Sequence, residues 1–123
     1  MLAAANVLGD ASGTYMRAAV AAGEDVWARG LLRKGVGLCH GAPGNGYALL
    51  ALAGATGAPR WRAAAQAFAS WVAQHWQELY DVPDRPASLY EGLAGAVCFM
   101  LDAVEVQPGG DVPGGMPGGH LPT

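Results

Sequence analysis

Charge is scarce in this chain. Asp, Glu, Lys and Arg make up 14% of its 123 residues, where a typical soluble domain devotes about a quarter to them. So little charge implies that much of the surface is meant to be covered by the remainder of a larger protein. The net charge of −3 leaves no basic stripe, and Arg29, Arg33 and Lys34 form the only basic cluster, which excludes nucleic acid as a partner. Cysteine is rare too. Cys39 and Cys98 could pair, but Met1-Leu2-Ala3-Ala4-Ala5-Asn6 lacks the positive start of a secretory signal. Free thiols in a reducing cytosol are the expectation. No apolar run approaches the ~20 residues of a membrane-spanning helix. What the chain does hold is hydrophobic residues at 52% and 19 glycines, enough for one packed domain at most.

The reactive side chains sit in the glycine-rich stretch from Gly37 to Tyr47, Gly-Leu-Cys-His-Gly-Ala-Pro-Gly-Asn-Gly-Tyr. Cys39 and His40 offer a thiolate and an imidazole, which zinc prefers, but a zinc site needs at least three protein ligands. Two neighbours are therefore either part of a metal site or the packed entrance of a helix. The same frame recurs 51 positions later. Gly37-Leu38-Cys39-His40-Gly41-Ala42-Pro43-Gly44 is matched by Ser88-Leu89-Tyr90-Glu91-Gly92-Leu93-Ala94-Gly95, both reading Leu-x-x-Gly-x-x-Gly ahead of an apolar run. Self-similarity at this period marks a repeat architecture. The frame is kept while Cys39 becomes Tyr90 and His40 becomes Glu91, as if chemistry were grafted onto one unit of a common scaffold.

The periodicity predicts four helices. Residues 1–13 read as a weakly ordered start, with Gly9-Asp10 and Ser12-Gly13 as turn signals. Thr14 is expected to cap a helix running to about Leu32, with Asp25 and Arg29 paired four apart. Pro43 suits the first turn of an almost uncharged, buried helix ending at Gly57. A long helix over about 58–80 carries Trp61, Ala65, Phe68, Val72, Trp76 and Leu79 at helical spacing, which reads as core rather than a cofactor stripe. His75 on it reads as a core or edge residue. Pro83-Asp84-Arg85-Pro86 denies regular hydrogen bonding. Ser88 and Glu91 then form a capping box opening a helix to about Glu105. From 107 to 123 the Gly/Pro-rich composition cannot bury enough surface to fold, so the folded unit is 14–106. Alternating exposed and buried helices fit an all-α fold, a partial α/α toroid. Two repeats do not close a ring, so the chain reads as a piece of one.

Arg33-Lys34-Gly35-Val36-Gly37-Leu38-Cys39-His40-Gly41, then Gly44-Asn45-Gly46-Tyr47, then Pro83-Asp84-Arg85-Pro86 with Ser88-Leu89-Tyr90-Glu91-Gly92-Leu93-Ala94-Gly95, together resemble the eukaryotic LanC-like proteins, relatives of the bacterial lanthionine cyclases. The resemblance runs from about Tyr15 to Glu105 and implies an α/α barrel of seven inner and seven outer helices, of which about two pairs are here. It also implies zinc, held by Cys39 and His40 with a cysteine from an earlier repeat that this chain does not supply. Cys98 within its helix reads as a small buried side chain. The implied activity is zinc-dependent addition of a thiol, glutathione or a peptide cysteine, to dehydroamino acids. The implied location is cytoplasmic, peripheral at the plasma membrane, with signalling partners. By the same resemblance Lys34 contacts a glutathione carboxylate; by itself it reads equally as a solvated lysine. Where the family has an arginine before the Pro-Asp-x-Pro turn, this chain has Asp81, a reversal of charge.

Two rivals stand beside a fragment of a thiol-adding zinc enzyme. One is a non-catalytic LanC-like binding or scaffold protein without a complete zinc site. The other is a toroid glycosidase, which would need two facing carboxylates, whereas only Glu91 stands at an inner-helix entrance.

Overall fold

The computed structural model describes residues 1–105; the Gly/Pro-rich tail from 107 onward lies outside them. Among the described residues there are five helices and no strand: α1 Leu2–Leu8, α2 Thr14–Arg29, α3 Ala42–Thr56, α4 Pro59–Leu79 and α5 Leu93–Glu105. α3 and α5 are the apolar helices, and α2 and α4 are the amphipathic ones. α3 carries eight buried residues, Ala42, Pro43, Gly46, Tyr47, Leu49, Leu50, Leu52 and Ala53. Helix α4 lays Trp61, Ala65, Phe68, Val72 and Leu79 into the same core. The three tryptophans of α4 differ in depth: Trp61 is buried, while Trp71 and Trp76 pack against the core from its edge.

Local chemistry sets the helix ends. Pro43 and Pro59 stand in the first turns of α3 and α4, where a missing N–H costs nothing. α3 stops at Gly57, whose φ of 65° is left-handed and open to glycine. Two ends differ from the sequence reading. Residues 2–8 form the short helix α1, none of whose residues is buried. The start of α2 is held by Asp10 rather than Thr14: its carboxylate accepts the N–H groups of Tyr15 and Met16 at 3.2 and 2.8 Å. A full negative charge serves better than a hydroxyl against the helix dipole. α2 also ends at Arg29, short of Leu32, because the Gly30 carbonyl is taken by the side-chain amide of Asn45 at 2.8 Å. Asn45, part of the glycine-rich motif, thus ties α2 to α3. The anticipated Asp25–Arg29 pair is present and exposed, worth a few tenths of a kcal/mol.

The internal repeat is a repeat in space. Residues 38–40 and 89–91 are both turns, and the helices that follow begin at Ala42 and Leu93, the same 51-residue step. A side chain on Gly44 would meet the Leu38 carbonyl oxygen at 2.0 Å, and one on Gly95 would meet the Leu89 carbonyl oxygen at 2.2 Å. The last glycine of each Leu-x-x-Gly-x-x-Gly frame is therefore required by its own turn. The capping-box reading needs correction. Ser88 Oγ does accept the Glu91 N–H at 3.2 Å, yet α5 starts only at Leu93, so the pair closes the turn before the helix. That turn is kept separate because its Tyr90 carbonyl serves the neighbouring repeat.

Candidate functional site

The two repeat turns abut. Cys39 N–H donates to the Tyr90 carbonyl at 2.8 Å, and Gly37 lies against the Tyr90–Glu91 backbone so closely that a Cβ there would fall 2.2 Å from it. Pro83 and the Glu91 carbonyl flank Gly35 more loosely, at ordinary contact distances of 3.4 and 3.5 Å from a Cβ built there. The segment 35–38 is buried while Lys34, Cys39 and His40 are exposed. The backbone of this turn is thus fixed from behind and its reactive groups project outward, at the N-terminal end of the buried helices.

Lys34, Cys39 and His40 therefore share one rim, with Tyr90 and half-buried Glu91 on the adjoining turn. Both cysteines are free thiols, Cys39 exposed and Cys98 half-buried in α5. No group of three or more His, Cys, Asp or Glu side chains placed to hold a metal exists among the described residues. The donor set fits zinc in kind, one sulfur and one ring nitrogen, but falls a ligand short in number. Asp81 and Arg85 are both exposed on the connection between α4 and the second turn. His75 is occupied within its own helix: its ring stacks on Trp71 at 4.5 Å and its Nδ1 lies 2.8 Å from the Trp71 carbonyl.

One polar pair inside the fold had no place in the sequence reading. The buried hydroxyl of Tyr47 on α3 donates to the Asp102 carboxylate on α5. Its signal was a lone carboxylate amid the apolar run from Leu93 to Val104. Burial, then the hydrogen bond and negative charge of Asp102, push the Tyr47 phenol far above the ordinary tyrosine range. The folded protein holds the proton more tightly than the unfolded chain. The stabilisation is accordingly complete below pH ~10 and is lost as pH climbs beyond it. An absorbance titration of phenolate should show one late step coincident with unfolding, and Tyr47→Phe should remove that step.

The comparisons with known proteins bear on the family to which the chain belongs. The family described as lanthionine synthetase C-like protein matches residues 2–108. The chain is 44% identical over 91 residues to a zebrafish (Danio rerio) protein named glutathione S-transferase LANCL1, a match covering 74% of this chain and 22% of that protein. It is 42% identical over 94 residues to the LanC-like protein GCL1 of Arabidopsis thaliana, covering 73% of this chain and 22% of the relative. The chain thus spans about a fifth of the length of these relatives. Its two-repeat helical fold, the turn motifs at its rim and the family match over most of its length make it a member of the lanthionine synthetase C-like family.

Proposed function

We propose that this chain forms part of a zinc centre that binds and activates a thiol, glutathione or a peptide cysteine, for addition to a dehydroamino acid. The observation that carries the reading is the rim itself: Cys39 and His40 stand side by side and exposed on a turn whose backbone is pinned by the Cys39–Tyr90 hydrogen bond. Cys39 and His40 would hold the metal, with a third ligand from outside the described residues. Bound zinc supplies a Lewis acid that lowers the pKa of a coordinated thiol. Lys34, exposed five residues before Cys39, offers a cation for a carboxylate of the thiol substrate. The name of the zebrafish relative, a glutathione S-transferase, supports glutathione as that substrate.

Asp81, exposed where the family resemblance implies an arginine, favours one other reading, a scaffold that keeps the toroid repeat without the chemistry. Calorimetric zinc titration separates them. The zinc-site reading expects the folded chain to bind more tightly than an unstructured peptide spanning 37–47. It also expects Cys39→Ala to weaken that binding at least tenfold, about 1.4 kcal/mol. Equal affinity of chain and peptide, or indifference to Cys39→Ala, would leave the scaffold.

A further inference from the structure

Two separate demands meet at Asn45 and Gly46. The side-chain amide of half-buried Asn45 donates to the Gly30 carbonyl at 2.8 Å and ties α2 to α3. Gly46 is imposed by packing, since a Cβ there would stand 2.1 Å from the Phe99 ring. Neither demand concerns the other, yet together they place an asparagine directly before a glycine. In that pairing a backbone nitrogen attacks the side-chain amide with least hindrance, because glycine brings no Cβ and bends freely. The chain's other asparagine, Asn6, is exposed but precedes Val7, whose branched side chain crowds the same attack.

The fold withholds this reaction without removing it. Asn45 lies within α3, where a ψ of about −42° turns the Gly46 nitrogen away from the side-chain carbonyl carbon. The Gly46 N–H is also engaged by the carbonyl four residues back. This turn is weakly closed at its start, however. The Asn45 N–H reaches the Gly41 carbonyl only at 3.5 Å, beyond the usual length of such a bond. Gly44 and Gly46 lower its helical preference further. The first turn of α3 therefore opens at less cost than the molecule as a whole.

We propose that Asn45 is a site of spontaneous deamidation, gated by opening of the first turn of α3, and that its conversion severs the tie between α2 and α3. When the turn opens, the Gly46 nitrogen bonds to Asn45 Cγ and the Cγ–Nδ2 bond breaks. Ammonia leaves, carrying the proton that the Gly46 nitrogen gives up. Water then adds across one of the two C–N bonds of the cyclic imide, leaving aspartate or isoaspartate at position 45. Either product replaces the donor that faces the Gly30 carbonyl with a negatively charged acceptor. Isoaspartate also routes the backbone through its Cβ, which breaks the regular i→i−4 bonding of the helix. Segment 30–36, which leads from α2 to Lys34 and the rim turn, then loses its anchor at Gly30.

Peptide mapping of the full chain, held in mildly alkaline buffer, tests this. Cleavage after Lys34 and Arg60 releases a peptide whose one side-chain amide is that of Asn45, so a gain of one mass unit is unambiguous. In guanidinium chloride Asn45 should convert readily while Asn6 lags behind. In the folded chain Asn45 should convert about 10-fold to about 10⁴-fold more slowly than in denaturant. Those factors correspond to a local opening that costs about 1.4 to about 5.5 kcal/mol. The deamidated protein, separated by its added negative charge, should unfold at lower urea than the unmodified one. Asn45→Gln keeps an amide on a longer side chain that closes the imide ring poorly, so it should stay unmodified and hold its urea midpoint through the same incubation. Equal rates in folded and denatured chains overturn the gating. A folded rate slowed by more than about 10⁴-fold assigns the reaction to global unfolding and overturns it too. Conversion of Asn6 as fast as Asn45 in denaturant, or an unchanged midpoint after deamidation, overturns the site itself.

Discussion

Gly37→Ser should destabilise the protein by about 3–5 kcal/mol. The repeat makes this result unexpected from sequence, because Ser88 occupies the corresponding position of the second unit. The structure supplies the difference. A Cβ on Gly37 would stand 2.2 Å from both the Glu91 carbonyl carbon and the Tyr90 carbonyl oxygen. Both are backbone atoms, so no rotamer change relieves the clash and the two turns must part. Parting them also breaks the Cys39–Tyr90 hydrogen bond of 2.8 Å, worth about 1 kcal/mol. The measurement is the urea midpoint at unchanged slope. A shift corresponding to less than about 0.5 kcal/mol, the range of neutral surface changes, would mean that the turns do not abut. The consequence reaches the rim: if Cys39 and His40 are held by this contact, zinc affinity should fall in Gly37→Ser although neither donor is altered.

Phe99→Ala should cost about as much, roughly 3–5 kcal/mol, for the opposite reason. Phe99 is fully buried, and its ring covers Gly46 and lies 5.4 Å from that of Tyr47. Removing it empties the centre of the α3–α5 contact and loosens the Tyr47–Asp102 bond beside it. A second substitution shows whether the ring is the cause. A Cβ on Gly46 would fall 2.1 Å from the ring, so Gly46→Ala alone is overpacked and should cost about 1–3 kcal/mol. With the ring gone that clash vanishes. The double variant should therefore be more stable than the sum of the single costs by about 1 kcal/mol or more. Strict additivity would show that Gly46 and Phe99 do not meet.

How far the sequence reached can be judged from particular elements. The spans of α3 and α4 were readable almost to the residue because proline and glycine mark their ends and the apolar spacing is unbroken. The start of α2 was readable to within a residue, but its capping side chain was not. Asp10 and Thr14 are both good caps, and only the path of the chain between them decides which reaches the first N–H groups. The Ser88–Glu91 pair carried the right hydrogen bond and the wrong helix start. A capping box and a closed turn share the same local geometry, and a distant demand, the Tyr90 carbonyl serving Cys39, selected the turn.

No helix among the described residues is long and apolar enough to cross a membrane, in keeping with the short apolar runs of the sequence. By itself the amino-acid order determined the helical class, the 51-residue repeat and the position of Cys39 and His40 at the mouth of a buried helix. Those properties are local, written in spacing and in residues whose backbone preferences act within a few positions. Tertiary structure alone decided that the two turns touch through Gly37, that Tyr47 and Asp102 meet across 55 residues, and that the Phe99 ring closes over Gly46. Such contacts depend on which surfaces the repeat brings together, and residue spacing along one chain does not specify that.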